Sequence, residues 1–141
     1  MREIKFRGLR VPDHLKVKND GTWCQGYLYE SADGRLCIDE WMVDPKTIGQ
    51  YTGLKDKNGV EIYEGDIVET TLHRKKKDAD EDSYKLTDYE SFQQRAVVTF
   101  IDARFKKQNV FHDSLKPKED EVIGNIYSNP ELLEGSKNAP N

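Results

Sequence analysis

Apolar and polar residues along this 141-residue chain alternate over short stretches, and a period of two marks half-buried strands. Over residues 2–7, Ile4 and Phe6 fall on one face while Glu3, Lys5 and Arg7 fall on the other; Gly8 and Val11-Pro12-Asp13 then end the strand. Residues 22–29 and 35–41 are rich in Trp, Tyr, Leu, Ile and Cys, which suit a pleated surface. Ser31-Ala32-Asp33-Gly34 lies between them, so the two stretches are expected to form a hairpin. Asn58-Gly59 marks a second turn, Val60–Tyr63 a short extended piece, and Glu64-Gly65-Asp66 further punctuation.

Residues 66–72 alternate Ile67, Glu69 and Thr71 against Val68, Thr70 and Leu72, again as a strand does. Residues 95–101 form the clearest core strand, and residues 109–112 and 121–127 are expected to add two more. Asn129 followed by Pro130 places the cap and first position of a short C-terminal helix, which Leu132 and Leu133 pin to the core. Residues 73–92 break the pattern: Arg74-Lys75-Lys76-Lys77 runs straight into Asp78-Ala79-Asp80-Glu81-Asp82, and such blocks read as a mobile charged loop, with Asp88 to Gln94 expected as a short helix or the start of a strand. Residues 135–141 are expected to fray as a flexible tail. Six to eight short strands without a long amphipathic helix predict a mainly β fold, a small barrel or roll. The expected layout is an N-terminal β region over 1–50 with its hairpin and a barrel-like part over 51–134.

Composition limits this picture. The hydrophobic fraction is 35% and the charged fraction 34%, which allows a modest core with much solvated sequence. Fourteen aromatic residues (seven Tyr, five Phe, two Trp) argue against disorder. The net charge of −4 disfavours wholesale coating of nucleic acid. No stretch reaches the roughly 20 apolar residues of a membrane span. The first residues, Met1 to Arg7, lack the apolar core of a signal peptide. A cytoplasmic protein is therefore expected, with Cys24 and Cys37 as buried free thiols.

Candidate chemistry is sparse. Setting Gly59 sixth in a calcium loop puts Leu54 first and Gly65 twelfth, so both key acids are missing and a hairpin turn is expected instead. Glu61, Glu64, Asp66 and Glu69 form an acidic cluster, read more simply as solvated turn and strand positions than as acid/base machinery. His14, His73 and His112 are well separated, and no nucleophile elbow or phosphate loop is present. The glycines of Gly49-Gln50-Tyr51-Thr52-Gly53 are read as permitting tight reversals. No catalytic residue, metal or cofactor is expected.

The basic runs carry the best binding hypothesis. Arg74, Lys75, Lys76 and Lys77 form one, and Arg104, Phe105, Lys106 and Lys107 another with an aromatic inside. Small barrels bind single strands by pairing a basic groove with stacking rings. Tyr27, Tyr29, Tyr51, Tyr63, Phe92 and Phe105 are the candidate exposed rings. Against this, the acids at 78–82 lie within a Debye length of ~8–10 Å of the first run and cancel much of its field.

Three segments resemble the YopX family. They are Ile4-Lys5-Phe6-Arg7-Gly8, the stretch from Ile48-Gly49-Gln50-Tyr51-Thr52-Gly53 through Glu64-Gly65-Asp66-Ile67-Val68, and the stretch from Val122-Ile123-Gly124-Asn125 through Pro130-Glu131-Leu132-Leu133. The resemblance implies one domain over 1–134, a mainly β fold with a portion like an SH3-type barrel, and a phage or prophage origin. It implies no activity, cofactor or catalytic residue. The function expected is a non-enzymatic interaction module that binds a phage or host protein or itself as a homo-oligomer. The alternative is a nucleic-acid-binding accessory protein.

Overall fold

A computed structural model describes residues 3–12, 19–110 and 112–134 of the chain. Among them run eleven strands: β1 (Phe6–Leu9), β2 (Trp23–Gly26), β3 (Leu28–Glu30), β4 (Leu36–Ile38), β5 (Trp41–Met42), β6 (Gly49–Lys55), β7 (Glu61–Tyr63), β8 (Asp66–Lys75), β9 (Tyr89–Ile101), β10 (Arg104–Lys107) and β11 (Glu121–Asn125). They build three antiparallel sheets, ordered β2-β1-β6-β7, β10-β9-β8-β11 and β3-β4-β5. The mainly β expectation is met. The expected tail at 135–141 and His14 lie outside the described residues.

The N-terminal hairpin forms, but only in part as expected. Leu28 pairs with Ile38 and Glu30 with Leu36 around the Asp33-Gly34 turn. Trp23–Gly26 instead leaves to pair with Leu9–Phe6 of β1. The chain pivots at Gly26, whose φ of 142° lies in the region glycine favours. One strand-rich stretch thus serves two sheets. Gly8 sits inside β1 rather than ending it, because a Cβ there would come 3.1 Å from the Val43 Cβ. That closeness lets β1 pack on the cluster of Cys24, Ile38 and Val43.

Gly49 is likewise no reversal. It lies within β6, where a Cβ would fall 2.3 Å from the Glu64 carbonyl oxygen, so only a bare α-carbon admits the passing backbone. A second cluster, Ile62, Val68 and Val98, joins β7 to the second sheet, with Leu115 and Val122 packed against it.

The largest departure concerns residues 73–92. β8 and β9 pair without a break from Ile67↔Val97 to Lys75↔Tyr89, so the connection shrinks to residues 76–88. The side chains supply local partners that keep the ladder going: Arg74 bonds Glu90 at 2.9 Å, and Thr71 donates to Gln93 Oε1 at 3.0 Å. Of the strand expected over 109–112, Asn109, Val110 and His112 are not in a strand, and Phe111 lies outside the described residues. Asn109 takes a positive φ of 60° in a turn, and the strand beside β9 is Arg104–Lys107.

No closed barrel forms among the described residues. β8 is already paired on both edges, with β9 and with β11, so β7 does not add to it; the Tyr63 amide donates instead to the side chain of Asp66 at 2.7 Å, and Gly65 donates to Val98 O at 2.8 Å. The C-terminal helix is reduced to a 3-10 turn over Pro130–Leu133, with no side-chain cap from Asn129.

Candidate functional site

The acids that cluster in sequence each take a different partner. Lys5 bonds Glu61 at 2.6 Å, a contact that raises the Lys5 ammonium well above its ordinary value. Arg95 bonds Glu69 at 2.8 Å. Glu64 receives only a long bond of 3.4 Å from the Gln50 amide. Asp66 is fully buried and lies 2.6 Å from Arg7. Among the described residues no group of three His, Cys, Asp or Glu is placed to hold a metal ion.

Arg7 and Asp66 form a sealed node between the first two sheets. The Arg7 guanidinium lies 4.7 Å from the Trp23 ring centroid and 4.9 Å from that of Tyr63. Tyr127 covers Trp23 at 6.1 Å. Burial pushes the Asp66 carboxyl up, with the Arg7 charge opposing it, and burial together with Glu61 raises the Tyr63 phenol to about 12. Asp56 fixes the neighbouring turn: Oδ1 accepts from Asn58 and Val60, and Oδ2 accepts from the Val122 amide at 2.8 Å.

The second basic run divides between the surface and the interior. Arg104 bonds Asp113 at 2.9 Å, and Lys106 lies 4.0 Å from the same carboxylate. The Phe105 ring lies tilted against that of Phe100, with centroids 4.8 Å apart. Lys107 corrects the sequence reading, for it is 1% exposed. Its ammonium lies 3.1 Å from Asp120 and 3.4 Å from Thr70 Oγ1, and Thr70 donates to Asp120 in turn. A group so enclosed meets no polyanion. Tyr51 and Tyr63 are core residues as well, leaving Tyr27, at 80% exposure, the most open ring of the expected set.

The first basic run stands on a different feature. Beyond Thr70 and Gln94, β8 and β9 continue as a two-stranded arm; β11 ends opposite Glu69 and β10 opposite Val98. On this arm Arg74 lies over Phe92 at 4.8 Å and Lys75 over Tyr89 at 5.8 Å. Lys75 also donates to the Glu81 carbonyl. Lys76 and Lys77 are exposed. The two basic runs lie opposite Glu90 and Phe100 of β9 respectively. At 3.3–3.4 Å per residue that separates them by roughly 30 Å, so they do not line one groove.

Tyr84 and Leu86, 92% and 90% exposed, crown the arm. Sequence reasoning passed over both; their signal was two large apolar side chains in an otherwise polar loop. An open groove of about 380 Å³ lies elsewhere, between Leu54, Phe100, Phe105 and Leu115.

The three segments quoted above converge on this frame. Arg7 comes from the first and Asp66 from the second; Tyr127 comes from the third, as does Ile126, whose amide donates to Gly65 O at 3.0 Å. A family model described as YopX protein matches residues 12–134. The chain belongs to the YopX family. Among solved structures, this YopX-family chain is similar to the crystal structure of protein EF1440 from Enterococcus faecalis. Identity is 25%, coverage 95% of this chain and 100% of that one, and the TM-score 0.47. No curated protein matches. No helix among the described residues is long and apolar enough to cross a membrane.

Proposed function

We propose that this YopX-family protein is a non-enzymatic interaction module of phage or prophage origin, acting in the host cytoplasm, that docks onto another protein through the β8–β9 arm. The observation that carries this reading is the arm itself, a two-stranded ribbon that extends past both neighbouring strands and ends in exposed Tyr84 and Leu86. An exposed strand edge is a ready template for pairing with another chain. The buried charges, by contrast, hold the frame and meet no solvent. On this reading β6 to β11 act as an opened relative of the SH3-type barrel, with the arm as its working end.

Nucleic-acid binding is the weaker reading. A two-stranded ribbon is a shape that fits a major groove. Yet residues 71–92 carry five Lys and Arg against six Asp and Glu, so the arm attracts no polyanion as a whole.

The test uses the full chain as bait in host extract, with retained proteins identified by mass spectrometry and the binding repeated with the purified partner. A defined partner held by the wild type and lost with Tyr84→Ser/Leu86→Ser, at unchanged melting temperature, supports the reading. A partner retained both by that variant and by Phe92→Lys removes the arm from the interaction. In parallel, fluorescence anisotropy with labelled single-stranded DNA, duplex DNA and RNA addresses the rival. Tight binding at physiological salt that Lys75→Ser/Lys76→Ser/Lys77→Ser abolishes would replace the protein-docking reading.

A further inference from the structure

We propose that the partner docked by the arm is a second copy of this chain, joined β9 edge to β9 edge in antiparallel register with Phe92 on the two-fold axis. The proposal rests on the reading of the arm as an interaction element.

Three observations select this edge. First, no strand pairs with the outer side of Tyr89–Gln94 among the described residues; β10 reaches only Val98, and Gln108 donates to Val97 O just beyond. Second, the edge reads Tyr-Glu-Ser-Phe-Gln-Gln, without the Lys or Pro that commonly protects such an edge. The outer edge of β8 does carry that protection, in His73, Arg74 and Lys75. Third, Gln94 is 6% exposed and its Nε2 has no acceptor, a costly state for a buried amide.

The register follows from the faces. Phe92 shares a face of the sheet with Glu90 and Gln94, because side chains alternate along a strand. Centring the pair on Phe92 keeps like faces together in both copies. It sets Ser91 opposite Gln93 and Glu90 opposite Gln94, so the carboxylate of one copy is offered to the amide that lacks an acceptor in the other. The Phe92 rings meet across the axis as an aromatic cross-strand pair. The near balance of charge on each arm lets two copies approach without net repulsion. The contact is isologous and closes on itself, giving a dimer rather than a fibre.

Sedimentation equilibrium of the full chain over a wide concentration range reads the association directly. Masses rising from 16.3 kDa toward twice that value are expected. Phe92→Lys, which sets like charges on the axis and removes the ring pair, is expected to raise the dimer dissociation constant more than about tenfold. Because that substitution also touches the Arg74 stack, Phe92→Cys gives a second readout. Opposite Cα atoms in an antiparallel pair suit a disulfide, so mild oxidation is expected to cross-link this variant to a covalent dimer, whereas the wild type, with Cys24 and Cys37 buried, stays uncross-linked. A monomer at every concentration, with Phe92→Cys failing to cross-link, overturns the proposal. So does a dimer that survives Phe92→Lys. In either case a heterologous partner lost with the Tyr84/Leu86 variant would still uphold the docking function of the arm.

Discussion

At the scale of single residues, the molecule places two of its charges where water does not reach and gives each a defined set of partners. Lys107 and Asp120 are both essentially unexposed. Asp120 additionally accepts from the Lys116 amide at 2.7 Å. Breaking a buried pair by removing one partner costs about 3–5 kcal/mol, because the other charge is left uncompensated. Lys107→Met is therefore expected to lose stability of that order in urea unfolding, and Lys107→Met/Asp120→Asn to recover most of it. A cost below about 1 kcal/mol for the single variant, the level of a surface pair, would show that Asp120 is compensated from elsewhere.

Two buried carboxylates respond to acid in opposite senses. Burial raises the value of Asp56, but three backbone N–H donors from Val122, Val60 and Asn58 outweigh it and hold the group below its ordinary 3.8. A depressed value means stability that is present above pH 3.8 and lost as the pH falls through the folded value. Asp66, raised mainly by burial, contributes the reverse: stability present in acid and lost as the pH rises. Asp56→Asn is expected to melt lower than wild type near neutrality, and to lose less stability than wild type between about pH 5 and about pH 2.5. Melting curves across that range check it; a parallel acid limb in both proteins would take Asp56 out of the account.

At the scale of elements, hairpins decide most of the fold, and their legibility depends on the turn residue. Asp33-Gly34 and Asn58-Gly59 announce themselves, because glycine takes the positive φ that each turn uses. The β9–β10 hairpin turns instead through Asp102 and Ala103, at φ of 56° and 62°. An alanine there conceals the turn, which is why Arg104–Lys107 reads in sequence as a basic run and not as a strand. It also costs energy: a left-handed L-residue is disfavoured by roughly 1–2 kcal/mol, partly offset by the greater freedom of glycine in the unfolded chain. Ala103→Gly is expected to stabilise the protein by about 0.5–1 kcal/mol, read as a shifted urea midpoint at unchanged slope. A destabilised variant would mean that the methyl group packs against the neighbouring groove and outweighs the backbone term.

At the scale of the whole molecule, stability is unevenly distributed. The two clusters built on Ile38 and on Ile62 sit where sheets meet, whereas the arm has a sheet neighbour on neither side. Local opening is easiest where buried contacts are fewest. Hydrogen exchange at low protein concentration is thus expected to be fast for amides of residues 71–75 and 89–93 and slow for residues 66–70 and 96–99. Equal protection along the whole hairpin under those conditions would mean that the arm packs on the body.

Strand identity was determined locally. Alternation, β-branched and aromatic residues, and glycine turns are properties of neighbours in sequence, so most strands, the Asp33-Gly34 hairpin and the absence of a long helix could be read from the chain, and the three quoted segments carried the family. What only the tertiary structure decided was which strand meets which. The pivot at Gly26, the open sheets, the Arg7–Asp66 node and the burial of Lys107 each join residues far apart in sequence, and pairing depends on the shape of both partners. The charged block at 74–82 shows the same division. Its composition reads as loop, yet its first residues form a strand because Glu90 and Tyr89 lie opposite and the Phe92 ring lies under Arg74, and no local pattern records what lies across a ladder.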